Sequence, residues 1–274
     1  MSLLKIAVLD MNNNHPNEGM RCILQIIRSV QGNDHAELSF DTFNVRGNDE
    51  LPGLDYDVYI SSGGPGSPLP STEAWEAPYF SLIDQLFDWN RQNDCKKHVF
   101  LICHSFQLVS RHLKLGKLSR RRSTSFGIFP IHKTDDGCTD PLFGDLPEPF
   151  YAVDSRDYQL LDPDLMRIDD MGASILCLEK VRLYVDLPRA VMAIRFSPEI
   201  VGTQFHPEAD DEGMLRHFLT EAKQMQIITN FGQDKYDEMM TYLQDPEKVG
   251  LTQSVVIPGF FRRAIESLAP AVPA

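Results

Sequence analysis

The chain has 274 residues, 42% hydrophobic and 24% charged, which is ordinary for a globular protein and long enough for one large domain with a sizeable core. A formal charge of −13 argues against a polyanionic partner such as nucleic acid, which calls for a basic face. Five scattered cysteines (Cys22, Cys95, Cys103, Cys138, Cys177) with no C-x-x-C give neither a disulfide framework nor a zinc knuckle, so a reducing cytoplasm is the expected compartment.

Residues 3–9 carry Lys5 and meet Asp10 with no small-residue cleavage site, so they read as a first buried strand (6–9) and not as a signal peptide. No apolar run approaches a membrane span, and no membrane partner is expected. A helix is expected over 18–30, from Met20, Ile23, Leu24 and Ile27, and an alternating strand over 38–43. Strand 57–60 ends in the glycine turn Ser61-Ser-Gly-Gly-Pro-Gly-Ser-Pro68. Helix 79–90 follows, with Phe80, Ile83, Leu86 and Phe87 on one face, and then strand 98–102. Such alternation implies a parallel sheet covered on both faces, with a ligand site at the carboxyl ends of its strands.

The basic run Lys114, Lys117, Arg120-Arg121-Arg122 reads as a solvated loop or edge strand in preference to a phosphate-binding patch. Strands at 126–131, 150–153, 190–196 and 200–205 fit an antiparallel extension of the sheet, and a helix covers 211–223. Two more helices are expected at 235–243 and 258–268. The apolar stretch 255–261 and Ile265 are expected to pack on this chain in preference to a second subunit.

Two segments carry chemistry. Cys103 lies where strand 98–102 runs into the helix-like 105–113. About a hundred residues on, Val201-Gly-Thr-Gln-Phe-His206-Pro-Glu208 closes another strand. A cysteine attacks as thiolate, so its pKa must fall below about 8.5. The start of a helix favours that anion. His206 would take the thiol proton if Glu208 oriented its ring. Residues two apart on an extended segment share a face, and Pro207 favours an extended path. The turn Gly63-Gly-Pro-Gly66 offers backbone donors for an oxyanion, with the His104 amide as the second. Each feature alone has a plainer explanation as a core cysteine, a turn or a loop; their order and placement at strand ends favour one shared site. A metal bound by Cys103, His104, His206 and Glu208 is the other reading. No helical His pair or close-spaced Cys supports it, so neither metal nor cofactor is expected.

Three motifs in this order resemble the class I glutamine amidotransferase superfamily, which includes the glutaminase domain of GMP synthase, over about residues 4–222. Ser62-Gly-Gly-Pro-Gly-Ser-Pro68 is similar to its oxyanion loop, Ile102-Cys103-His-Ser-Phe-Gln107 to its nucleophile elbow, and Gln204-Phe-His-Pro-Glu208 to its His/Glu strand. Asp140-Pro-Leu-Phe-Gly-Asp-Leu-Pro147 resembles, more weakly, a loop seen between elbow and His/Glu strand. The resemblance implies an α/β three-layer sandwich with a mostly parallel, flavodoxin-like central sheet. That domain would span 1–224, followed by a C-terminal helical extension at 225–274. It also implies hydrolysis of the γ-carboxamide of glutamine through a γ-glutamyl-thioester, with ammonia passed to a synthase. A separate synthase subunit is the expected partner; a stand-alone hydrolase of γ-glutamyl compounds and a silent binding module are the alternatives. In its terms Cys103 is the nucleophile, His206 the base then acid, Glu208 the orienter, and Gly64 and His104 the oxyanion donors. Gln107, Gly66, Ser155 and Arg156 contact substrate. Two departures stand out: Leu101 and Ser105 occupy positions where the family elbow has glycine, and Arg156 stands where the family often has a histidine.

Overall fold

A computed structural model describes residues 3–33, 37–182 and 187–268. Its strands are β1 (Leu4–Asp10), β2 (Leu38–Asn44), β3 (Val58–Ser61), β4 (His98–Ile102), β5 (Lys117–Lys133), β6 (Phe150–Leu161), β7 (Ser174–Leu178), β8 (Val191–Ser197) and β9 (Ile200–Thr203). The helices are α1 (Glu18–Asn33), α2 (Val45–Asn48), α3 (Glu76–Gln92), α4 (His104–His112), α5 (Asp135–Thr139), α6 (Leu165–Asp170), α7 (Asp211–Phe218), α8 (Glu221–Phe231), α9 (Gln233–Leu243) and α10 (Val249–Leu268).

The strands join in the order β2-β1-β3-β4-β9-β8-β6-β5-β7, and β7 also pairs with β8. From β2 to β9 the four pairings are parallel. The remaining five are antiparallel. Because β7 bonds both β5 and β8, the strands β8, β6, β5 and β7 close into a four-strand barrel. This corrects the expected three-layer, flavodoxin-like sandwich with a mostly parallel sheet: antiparallel pairings outnumber parallel ones, and four of the nine described strands form a closed barrel. The cause lies in the length of the two central strands. β5 spans 17 residues and β6 spans 12, their register shifts between Arg120 and Ser125, and Gly127 has φ +143°. Long strands twist, and an irregularity of this kind bends them further, so the ribbon curls until β7 seals it.

Side chains of β1 alternate between two cores, as period-2 geometry requires. Leu4, Ile6 and Val8 face α1 (Ile23, Ile26, Ile27) and α10 (Val256, Ile257, Phe260, Phe261), while Ala7 and Leu9 face α3 and α4 (Leu82, Leu86, Phe106, Val109). A third core packs Ile128 and Val153 of the barrel against Phe218, Ile227, Tyr236 and Met239 of α7–α9. The boundary expected at residue 224 falls inside α8, and α10 is sealed into the first core, on this chain. That last helix begins nine residues ahead of Pro258, where the sequence placed its start; its buried face on both sides of the proline carries the helix through. Among the described residues no helix is long and apolar enough to cross a membrane.

Candidate active site

The carboxyl ends of β1, β3, β4 and β9 open into one cleft of about 690 Å³. All nine residues singled out in the sequence line it: Gly64, Gly66, Cys103, His104, Gln107, Ser155, Arg156, His206 and Glu208.

Cys103 ends β4 and caps α4 with φ +47° and ψ −96°, a conformation costly for a side chain bearing a Cβ. The strain is held by its N–H donating to Thr203 O (2.7 Å) and its carbonyl accepting from Gln107 N (3.0 Å). The buried thiol faces Ser155 O at 3.8 Å and accepts from Gln204 Nε2 at 3.5 Å.

His206 is placed by the barrel. Its N–H donates to Val153 O (2.9 Å), an antiparallel bridge that extends β9 along β6. Phe205, buried among Phe143 and Phe150, anchors the same turn; Phe143 comes from the loop at 140–147. The ring Nδ1 lies 2.8 Å from Glu208 Oε1, and Glu208 is buried against the first turn of α1, where a helix start favours negative charge. A Cβ on Gly63 would stand 2.9 Å from His206 Cε1 and 3.5 Å from Cys103 Cβ, so imidazole and cysteine flank that glycine. Burial pulls the His206 pKa down, but the Glu208 carboxylate and the Cys103 sulfur outweigh it and hold the ring well above the usual histidine range.

Gly64 lies against the end of β1. A Cβ there would meet Met11 O at 2.2 Å, so only glycine fits. Arg46, which the sequence did not single out, clamps this loop by donating to both Met11 O and Pro65 O. The first turn of α4 starts at His104, where helix amides lack intrahelical acceptors and are available to an oxyanion. The His104 ring itself is buried with Nε2 unpartnered, and burial with Arg46 and Arg111 nearby lowers its pKa to about 3.

The two departures from the family elbow have structural explanations. Leu101 is fully buried opposite Gly202 in the β4–β9 register, and a Cβ on Gly202 would already lie 3.2 Å from Leu101 Cβ. The side chain gained at 101 occupies room left by the glycine at 202. Ser105 Oγ donates to Ser62 O and bonds Ser61 Oγ, both at 2.7 Å, tying the elbow to the glycine loop.

Two expected substrate contacts are occupied otherwise. The Gln107 amide donates to Tyr158 O (3.1 Å) and Gln204 Oε1 (2.8 Å), so it buttresses Gln204 against the sulfur. Gln204 was legible only as part of a motif. Arg156 turns its guanidinium away, with Nε 3.0 Å from Asp154 and Nη2 3.0 Å from Glu179. Ser155 and Asp157, exposed on the alternate face of β6, present themselves to the cleft. Among the described residues no group of three or more His, Cys, Asp or Glu side chains is arranged to hold a metal.

No protein-family model and no curated protein matches the sequence. Solved structures do. A glutamine amidotransferase from Thermotoga maritima aligns over 96% of this chain and 98% of its own at 14% identity and TM-score 0.68. One from Methylobacillus flagellatus aligns over 98% and 97% at 12% identity and TM-score 0.65. The Trypanosoma brucei CTPS glutaminase domain with bound acivicin aligns over 75% and 86% at 13% identity and TM-score 0.52. Likeness at such identities is a likeness of fold: this chain has a class I glutamine amidotransferase-like fold.

Proposed function

We propose that the protein is a cysteine-nucleophile amide hydrolase that releases ammonia from glutamine for a separate synthase. The observation that carries this reading is the strained Cys103 at a helix start, beside an imidazole whose other nitrogen is held by a buried carboxylate. The Cys103 sulfur attacks the γ-carboxamide carbon, and backbone amides at Gly64 and His104 receive the developing oxyanion. The C–N bond breaks as His206 gives its proton to the leaving ammonia, leaving a γ-glutamyl-thioester. Water deprotonated by His206 then cleaves the C–S bond, which restores the thiol and frees glutamate. Gly66 and Ser155 line the glutamyl end. Gln107 acts through Gln204, and Arg156 positions β6 without touching substrate.

One observation favours a second reading, hydrolysis of a larger γ-glutamyl compound without a partner. The cleft, at about 690 Å³, matches sites for drug-sized ligands (about 300–1,000 Å³), and its lining includes the apolar Phe126, Met214 and Phe218. The test is ammonia release from glutamine, and amine release from γ-glutamyl amides, by wild type and Cys103→Ala. Turnover of either substrate by wild type alone supports hydrolysis and tells the two readings apart. Equal rates with and without Cys103 refute both.

A further inference from the structure

The basic run that begins β5 plays no part in the catalytic reading. Beside the barrel lies a second cavity of about 380 Å³, whose lining includes Arg121, Asp154, Glu179, Lys180, Arg182 and Lys235. Arg121 Nη1 and Arg156 Nη2 each lie 3.0 Å from Glu179 Oε1, and Arg182 reaches the same oxygen. One carboxylate oxygen therefore serves three guanidinium groups. Asp154 is engaged by Arg156 Nε and by the Ser125 hydroxyl at 2.7 Å, and Glu238 by Lys235. Lys180 has no carboxylate within salt-bridge distance among the described residues; its ammonium stands 4.4 Å from the centre of the Phe129 ring, and that of Lys235 stands 4.3 Å from it.

Among the described residues, four cations on the lining (Arg121, Lys180, Arg182, Lys235) thus meet two carboxylates (Asp154, Glu179), an excess of two, while Arg156 and Glu238 beside it offset each other. Among the described residues, one buried N–H position on the cavity's lining, Nε of Arg121, has no acceptor. Burial and the neighbouring Arg156 lower the pKa of Arg121, and burial and Lys235 lower that of Lys180. Buried donors and charges without partners are costly, and a bound anion would relieve both costs. That surplus sits in a chain whose formal charge is −13, so it is local and not a general basicity.

We propose that this cavity binds a phosphate-bearing small molecule, with the phosphate seated among Arg121, Lys180 and Lys235. A phosphate monoester carries about −1.5 to −2 charges at neutral pH, which matches the excess of two; one carboxylate would leave it half met. The cavity's size, about 380 Å³, and the acidity of the remaining surface fit a small metabolite and not a nucleic acid.

The test is a titration of the full chain with inorganic phosphate, followed by calorimetry and thermal unfolding, with ionic strength held constant by sodium chloride. Malonate serves as the dicarboxylate arm. A saturable, phosphate-dependent rise in Tm is expected, larger than that given by malonate at equal concentration. The Lys180→Gln/Lys235→Gln variant should bind phosphate about tenfold more weakly or worse, as the loss of charge-assisted bonds implies. Arg121→Gln should do the same; should that variant fail to fold, the lysine pair carries the test. Absence of a phosphate effect at constant ionic strength, an effect unchanged in the lysine variant, or a greater effect of malonate would each overturn the proposal.

Discussion

Replacing Gly64 with alanine tests the oxyanion loop most sharply. The new Cβ would lie 2.2 Å from Met11 O and 2.9 Å from Met11 C, against a floor of 3.0 Å for real contacts. The loop or Met11 must therefore give by about 0.8 Å, the difference between 2.2 and 3.0 Å. Met11 is the less able to move. Its N–H donates to Ser62 Oγ (3.0 Å), its carbonyl accepts from Arg46 (3.1 Å), and its side chain is fully buried. The glycine loop is expected to shift instead, carrying the Gly64 amide out of the roughly 2.7–3.1 Å range an oxyanion donor needs. Losing one such donor costs about 10²–10³ in kcat, and the overpacking costs about 1–3 kcal/mol of stability. The assay is amide hydrolysis by folded Gly64→Ala, with urea unfolding alongside. Alkylation of Cys103 by a small haloacetamide, which needs no oxyanion donor, should stay near the wild-type rate. A folded variant that hydrolyses substrate within a few-fold of wild type would refute the placement of Gly64.

Three further predictions follow from the packing. Gly202→Ala, whose Cβ would meet Phe106 at 3.0 Å and Phe196 at 3.1 Å, should cost about 1–3 kcal/mol in urea unfolding; combined with Leu101→Gly it should cost less than the sum of the two singles, and strict additivity would refute the Leu101–Gly202 exchange. Arg156→Met leaves the buried Asp154, among the described residues, with the Ser125 hydroxyl alone, while Glu179 keeps Arg121 and Arg182, and should destabilise by about 3 kcal/mol; a neutral effect in the same assay would show that Asp154 is satisfied without it. His98, buried by α10 against Phe260 and bonded to Ser267 at 2.7 Å, has its pKa lowered to about 4, chiefly by burial. Its folded pKa lies below the unfolded value of about 6.5, so the unfolded chain takes up the proton first and stability falls as pH drops from 6.5 towards 4. This group alone should remove about 2 kcal/mol between pH 7 and pH 5. His98→Gln should flatten that slope in denaturation at the two pH values, and an unchanged slope would count against it.

The parts of the fold fixed by local pattern were legible in the sequence. The buried runs of β1, β3 and β4, the α1 periodicity and the glycine turn all lie where hydrophobic spacing placed them. Cys103, His206 and Glu208 could be picked out as candidates because they follow the carboxyl ends of β4 and β9, where the chain turns along the cleft. The barrel was not. β7 is a five-residue strand, and the closure depends on its pairing with both β5 and β8, a tertiary choice that leaves no local mark. The side of β6 from which Arg156 projects had a signal that went unused: Asp154 and Arg156, two apart, share one face and form an ion pair, while Ser155 and Asp157 take the other. The exchange between Leu101 and Gly202 is likewise invisible along the chain, since a hundred residues separate two neighbours in register.

The most direct measurement is covalent labelling with an electrophilic diazo-ketone analogue of glutamine, mapped by mass spectrometry across all five thiols. The proposed chemistry gives a single adduct on Cys103, absent in Cys103→Ala and strongly slowed in His206→Ala. Adducts spread evenly over Cys22, Cys95, Cys103, Cys138 and Cys177, or none on Cys103 while the exposed Cys95 and Cys138 react, would contradict an activated nucleophile at the elbow.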